Sequence, residues 1–360
     1  MRTKNNYPFL SVIIPAFDSK EFYGPLLKSL LGINYPNYEV IVVDDGSTDG
    51  SYEAIRQISF KDKKLKIIRT LKRRGIPGSR NLGIEVAQGE FVAFFDMDME
   101  VSTNWPKDLI KFLLDNRNAG GVMPKVPDFH SRDLLQAAGF YIDPHTAWVV
   151  PRGYGDSDNG QFEEIIHIAI GAAGAVWRKT VLEEIGGFDE SLGMFDDIDL
   201  GWRANILGWK TFYIPSAVVF HWTSKPWHYR PKSSSLKEQE FYMNNLIRVL
   251  VKNLELNNMI RYVPQYILIM GLRVIVNMVR GNVLPLIGAI RVVVWNLTNL
   301  SVTWKERIKI QSQRKVSDSL LFGSVLIRGN FLSIYIKHLR PILNLARLWP
   351  SLISRRRVVI

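Results

Sequence analysis

Phe91-Val92-Ala93-Phe94-Phe95-Asp96-Met97-Asp98 is the stretch on which the reading of the chain turns. Five apolar residues in succession, opening at Glu90, lack the alternation of a half-exposed strand and read as a strand buried on both faces. Two carboxylates close together at the end of such a strand repel, and a cation beside them removes the repulsion. Leu10–Ile14, Glu39–Val43 and Leu65–Ile68 read as further strands, with helical patterns at Glu21–Leu31, Gly50–Ile58 and Gly78–Ala87 between them. Strand and helix in this alternation make βαβ units, hence an α/β fold around a mostly parallel sheet with right-handed crossovers. Ligands of such sheets lie beyond the carboxyl ends of the strands, which directs attention to Pro15–Asp18, Asp44–Asp49, Arg69–Gly75 and Asp96–Asp98.

Downstream the pattern is mixed. A helix is expected over Trp105–Leu114, extended runs at Gly121–Val126 and Phe140–Val150, a polar loop over Arg152–Glu164 and a helix over Asp197–Leu207. Ser233–Ser235 read as a junction, dividing a domain of residues 1–230 from a largely helical region of residues 231–360.

The 360 residues are 47% hydrophobic, which excludes wholesale disorder, and they contain no cysteine. Disulfide frameworks, thiolate zinc sites, iron–sulfur clusters and cysteine nucleophiles are thereby excluded. Charge is divided unevenly. Residues 1–230 hold 26 basic and 29 acidic side chains, net −3, whereas residues 231–360 hold 20 and 5, net +15. A basic segment of this size is expected to meet a polyanion, either an anionic membrane surface or nucleic acid. Met1–Phe9 lacks the charged-then-apolar order of a signal peptide, so a cytoplasmic location is expected.

Three acidic motifs carry candidate chemistry. In Asp44-Asp45-Gly46-Ser47-Thr48-Asp49, Thr48 or Asp49 suits a helix cap, while adjacent carboxylates exceed what capping needs and suit hydrogen bonds to a base or ribose. Asp96-Met97-Asp98 suits Mg²⁺ or Mn²⁺, hard cations that take one or two carboxylates and fill the remaining positions with phosphate oxygens and water, against the alternative of a solvated turn. Phe195-Asp196-Asp197-Ile198-Asp199-Leu200-Gly201-Trp202-Arg203 reads first as an acidic helix start with Asp199 and Arg203 paired at i,i+4. Asp196 and Asp197 beside Gly193-Met194-Phe195 are not explained by that, and a partly desolvated carboxylate there has the raised pKa of a general base.

Ser11-Val12-Ile13-Ile14-Pro15, Val43–Asp49, Arg80-Asn81-Leu82-Gly83, Asp96-Met97-Asp98, Gly186-Gly187-Phe188-Asp189-Glu190 and Asp196–Arg203 occur in the order and spacing of the motifs of family 2 glycosyltransferases of the GT-A fold, which residues 9–225 resemble. The resemblance implies a nucleotide-diphosphate sugar donor and inverting transfer. It further implies Pro15, Asp44, Asp45, Arg80 and Asp96 as nucleotide contacts, Asp98 as a metal ligand with His221 as a further one, and Asp197 as the catalytic base. Asp196 and Arg203 are taken as support for acceptor or donor, and Gly174, in the small-residue run Gly171-Ala172-Ala173-Gly174-Ala175, as allowing close backbone approach to the donor sugar, with tight packing of two elements as the alternative. The chain departs from the family pattern at Asp18, where Asn is common, at Asp196, where Glu usually stands, and at Arg73-Arg74-Gly75, where Asn-x-Gly is frequent.

Beyond residue 240, the longest charge-free runs are Tyr262–Leu272 and Val292–Trp304, short of the ~18–20 residues that span a bilayer. Arg248, Arg261, Arg273, Arg280 and Arg291 recur among aliphatic residues, the arrangement of helices lying in a membrane interface with Trp295, Trp304 and Trp349 as anchors. An ordinary helical subdomain packed on the catalytic domain is the alternative. Interleaving of Arg with Ile, Leu and Val favours lipid over nucleic acid, so no nucleic-acid partner is expected. Similar extensions accompany glycosyltransferases of surface polysaccharide assembly, which implies a glycan or lipid-linked acceptor and a peripheral place on the inner membrane face. Transfer to a polyprenyl phosphate, and a non-catalytic binding module with a nucleic-acid-binding tail, are the alternatives.

Overall fold

The computed structural model describes residues 7–145, 148–193, 195–222, 236–279 and 281–327. The junction at Ser233–Ser235, His228, Met194, Arg280 and Trp349 lie outside the described residues.

The first half is a run of βαβ units: β1 (Leu10–Ala16), α1 (Tyr23–Leu31), β2 (Tyr38–Asp44), α2 (Ser51–Lys61), β3 (Leu65–Arg69), α3 (Gly75–Val86) and β4 (Phe91–Phe94). Strands β3, β2, β1 and β4 lie side by side and parallel. β2 is buried along its whole length because helices cover both faces, which is why these strands are continuous apolar runs. Glu39 is buried in β2, where it accepts from Ser11 Oγ (2.7 Å), Lys66 Nζ (2.6 Å) and the Gln88 N–H (2.9 Å). Gly83 lets α3 approach β1, since a Cβ there would stand 2.3 Å from Ile13 Cγ2.

There follow β5 (Met99–Val101), α4 (Trp105–Asp115), β6 (Ala119–Pro127), β7 (Leu135–Ala137), β8 (Phe140–Asp143), β9 (Trp148–Pro151), β10 (Ile166–His167), β11 (Val176–Arg178), α5 (Lys179–Glu184), α6 (Asp196–Ile206) and β12 (Lys210–His221). The sheet continues from β4 through β11, which is antiparallel to both its neighbours, to β6, β12 and β10. The extended run expected over Phe140–Val150 is in fact a hairpin, β8 paired with β9. Trp177 and Trp202 are core residues.

The C-terminal helices are α7 (Leu236–Asn253), α8 (Leu256–Val279), α9 (Leu284–Thr298), α10 (Leu300–Ser312) and α11 (Asp318–Leu321). Leu246, Leu250, Leu254 and Tyr262 share one hydrophobic core with Ile185, Phe188 and Leu207. Ile142 of β8 also exchanges backbone hydrogen bonds with Val325 and Ile327. Part of the basic surplus is internal: Arg248, Lys252 and Arg307 are buried. Lys252 Nζ meets Asp189 Oδ2 at 2.5 Å and Asp199 Oδ1 at 3.1 Å, and Arg307 donates to the carbonyls of Val251 and Leu254. Outside this core, α8 and α9 expose Ile260, Ile267, Leu268, Ile275, Leu284, Ile287 and Val294. Among the described residues, α8 is long and apolar enough to cross a membrane by length and composition, and α9 with α10, bent by 60°, passes the same test as a pair. Counting charge-free runs missed this because α8 continues through Arg261 and Arg273 without a break.

Candidate active site

A cleft of about 680 Å³ opens beyond the carboxyl ends of β1, β2 and β4, where the parallel sheet directs ligands. Its walls include Pro15, Asp45, Asp96, Asp98, Glu190 and His221. Two non-glycine residues with left-handed backbone flank the region, Asp18 (φ 44°) and Phe195 (φ 65°). Asp18 is held there by hydrogen bonds with Ser47 and Thr48, which join the loops after β1 and β2.

Of the residues read as nucleotide contacts, Pro15, Asp45 and Asp96 line the cleft. Asp45 Oδ1 accepts from Thr70 Oγ1 (2.9 Å) and the Arg74 N–H (2.8 Å), and its Oδ2 from the Gly75 N–H (2.8 Å), so this carboxylate also fastens the loop before α3. Asp44 departs from its expected role. It is 1% exposed, paired with Arg69 Nε at 3.3 Å and bonded to the Ser47 N–H, beneath the loop rather than in the cleft. Arg80 departs likewise. It is buried, and its two terminal nitrogens are spent on Asp96 Oδ1 and Asp196 Oδ2, each at 2.8 Å.

The arginine thus ties the end of β4 to the start of α6. Burial pushes the Asp196 carboxyl up to about 6; Arg80 opposes the rise, and the charges of Asp197 and Asp96 add to it. The raised carboxyl expected on Asp197 is found instead on its neighbour Asp196. Asp197, partly buried in the first turn of α6, accepts from the Ala172 N–H through Oδ2 (2.9 Å) and from the Ile198 N–H through Oδ1 (2.8 Å).

Arg203 and Gly174 serve the scaffold instead of a substrate. Arg203 is buried, bonded to Asp199 Oδ2 (2.7 Å) and to the carbonyls of Ile185 and Gly187, so the i,i+4 pairing foreseen from sequence accounts for it. Gly174 has φ 66°, and a Cβ there would lie 2.7 Å from Val219 Cγ2, so its smallness serves packing against β12.

Asp98 Oδ1 and His221 Nε2 stand 3.4 Å apart on the cleft wall. Burial lowers the His221 pKa, and the hydrogen bond and charge of Asp98, aided by Asp96 and Asp128, more than reverse this and raise it. An oxygen and a neutral imidazole nitrogen at this separation fit two ligands of one small divalent cation with bonds of ~2.1 Å. Among the described residues no group of three His, Cys, Asp or Glu side chains gathers as a metal cage. The pair would leave most coordination positions to water and phosphate oxygens.

Gln136 escaped the sequence reading, and Phe17 entered it only as part of the stretch Pro15–Asp18, with no role of its own. Phe17, 41% exposed on the cleft wall, carries the Arg73 guanidinium 3.8 Å from its ring centre, and its place directly after β1 was the available signal. Gln136 in β7 hydrogen-bonds to His221 Nδ1 at 2.9 Å, and nothing in its sequence context marks it.

The family model described as Glycosyl transferase family 2 matches residues 11–185. Glycosyltransferase AglE of Haloferax volcanii is 39% identical over 218 residues, covering 59% of this chain and 67% of that protein. The putative teichuronic acid biosynthesis glycosyltransferase TuaG of Bacillus subtilis is 32% identical over 108 residues, 30% of this chain and 41% of TuaG. The chain spans less than half the length of the first curated relatives it matches. Among solved structures, the mannosyltransferase PcManGT of Pyrobaculum calidifontis, in complex with GDP-Man and Mn²⁺, has a TM-score of 0.51 and 17% identity over 86% of each chain, a likeness of fold.

Proposed function

The chain belongs to glycosyl transferase family 2, and on that footing we propose that it moves a sugar from a nucleotide diphosphate to an acceptor hydroxyl, inverting the anomeric centre. The observation that carries this reading is the cleft at the carboxyl ends of β1, β2 and β4, with Asp96, Asp98 and His221 on one wall. GDP-Man and Mn²⁺ bound by PcManGT support a nucleotide sugar and a divalent cation here.

Asp98 and His221 would hold Mg²⁺ or Mn²⁺, which when bound supplies the charge that stabilises a departing nucleotide diphosphate. Pro15, Phe17 and Asp45 line the part of the cleft assigned to the nucleoside. Asp96, tethered by Arg80, stands on the cleft wall with the cation ligands. Asp197 takes the proton of the attacking hydroxyl, and the Ala172 N–H that holds Oδ2 fixes the direction in which it does so. Single displacement needs one base and no protein nucleophile. Asp196 then acts by positioning, because its partner is Arg80 and it is buried.

We assign residues 1–230 to catalysis and residues 231–360, with the described helices α7 to α10, to a region facing the cytoplasmic side of a membrane. The exposed aliphatic residues of α8 and α9 support a lipid surface and a lipid-linked or glycan acceptor. The name of TuaG supports a place in polysaccharide assembly.

A screen of nucleotide sugars with Mg²⁺ or Mn²⁺, reading which nucleotide is released, tests the proposal. Release of one nucleotide class, abolished by EDTA and by Asp98→Asn, is expected. Undiminished release in EDTA contradicts the metal assignment, and no release from any donor contradicts the activity.

A further inference from the structure

Gln136 stands in β7, which runs antiparallel to the end of β6. The chain beyond β6 bridges at Asp128 to His221, the last residue of β12, and the Phe129 N–H donates to the His221 carbonyl. The side chain of Gln136 therefore lies between the backbone and the ring of His221 and the carboxylate of Asp128. Its Nε2 is 2.8 Å from the His221 carbonyl oxygen and 2.8 Å from Asp128 Oδ2, while its Oε1 is 2.9 Å from His221 Nδ1.

These three contacts leave one consistent assignment of protons. A backbone carbonyl can only accept, so the group of Gln136 that faces it must be the amide nitrogen. Asp128 uses its other oxygen to accept from the His130 and Ser131 N–H groups, both at 2.9 Å, and its Oδ2 takes the second amide proton of Gln136. With both amide protons committed, the carbonyl oxygen of Gln136 must face the imidazole. Nδ1 must then be the donor. In the neutral ring the lone pair is left on Nε2, the atom 3.4 Å from Asp98 Oδ1.

We propose that Gln136 is the positioning residue that holds His221 in its Nδ1–H tautomer and orients Nε2 toward a divalent cation shared with Asp98. The inference rests on the metal reading of Asp98 and His221. It adds a chain of fixed polarity, from Asp128 through Gln136 to His221, that presets the metal-binding nitrogen before any metal arrives. Outer partners of this kind fix both ring orientation and tautomer, and their loss lowers metal affinity ~10–100-fold.

Two measurements on the full chain test this. The first is ¹⁵N NMR of the imidazoles in the metal-free protein, at a pH where His221 is neutral, with His221→Ala identifying the signal. A protonated Nδ1 and unprotonated Nε2 are expected in the parent protein, and a mixture of tautomers in Gln136→Met. A protonated Nε2 in the parent overturns the proposal without recourse to any variant. The second is titration with Mn²⁺ alone, read by loss of the free-ion EPR signal. Gln136→Met is expected to bind ~10–100-fold more weakly while keeping the parent circular dichroism. Parent affinity in Gln136→Met overturns the role of Gln136. Equal affinity in the parent and His221→Ala overturns the underlying assignment of His221 as a ligand, whichever tautomer the NMR shows.

Discussion

Arg80 Nη1 lies 2.8 Å from Asp196 Oδ2, joining α3 to the first residue of α6 across 116 positions of sequence. Since Arg80 holds Asp96 at the same distance, one guanidinium links the acidic end of β4 to the helix that bears Asp197. A planar fork can engage two carboxylates at once, which a lysine cannot do with the same geometry. Arg80→Met is expected to lower stability by ~3–5 kcal/mol, because it strands a buried carboxylate. Chemical denaturation checks the loss, and Arg80→Lys is expected to restore only part of it.

The raised pKa of Asp196 makes stability depend on pH with a definite sign. A folded-state pKa of about 6 against an ordinary 3.8 means that the folded protein binds this proton more tightly than the unfolded chain. Its contribution is complete below the ordinary value and is lost as the pH rises through about 6. The stability of the parent protein minus that of Asp196→Asn should therefore fall between pH 4 and pH 7, and denaturant titrations at a series of pH values read that difference directly.

Lys252 of α7 is 1% exposed at its side chain and contacts both Asp189 and Asp199, two carboxylates that precede the C-terminal helices. Burial pushes Asp189 and Asp199 up, but Lys252, with Arg248 at the first and Arg203 at the second, outweighs burial and lowers both. Stability from these groups is present above the ordinary carboxylate pKa and is lost as the pH falls. Lys252→Met should cost ~3–5 kcal/mol at neutral pH and flatten the acid limb of a plot of stability against pH. An acid limb as steep as the parent's would show that this contact does not govern it.

The exposed aliphatic residues of α8 and α9, with basic side chains beside them, should hold the protein to anionic vesicles. Carbonate washing of membranes is expected to release it. Release by detergent alone would instead mean that α8, long and apolar enough by composition, crosses the bilayer.

Much of the α/β scaffold was legible because β1, β2 and β4 are buried on both faces and so appear as apolar runs, the last two running into carboxylates. β11 was not, since Val176–Arg178 is three residues long and owes its place in the sheet to β4 and β6, far away in sequence. The buried roles of Arg248 and Lys252 were hidden for a related reason. Cations spaced among aliphatic residues look the same whether they face lipid or the half-buried Asp189. Asp44 and Asp45 could be flagged as a pair, but which one enters the cleft depends on the fold of the loop at Thr70–Gly75. Gln136 is uncharged between Leu135 and Ala137, and its significance arises only when β7 brings it against His221.

The assignment of Asp197 as the base is the claim on which the mechanism depends. Asp197→Asn keeps size and removes the capacity to take a proton, so the direct measurement is turnover of this variant, beside its affinity for the nucleotide diphosphate by calorimetry. The account predicts a fall of roughly 10²–10⁴-fold in turnover with nucleotide affinity unchanged. Near-parent turnover in Asp197→Asn would contradict it.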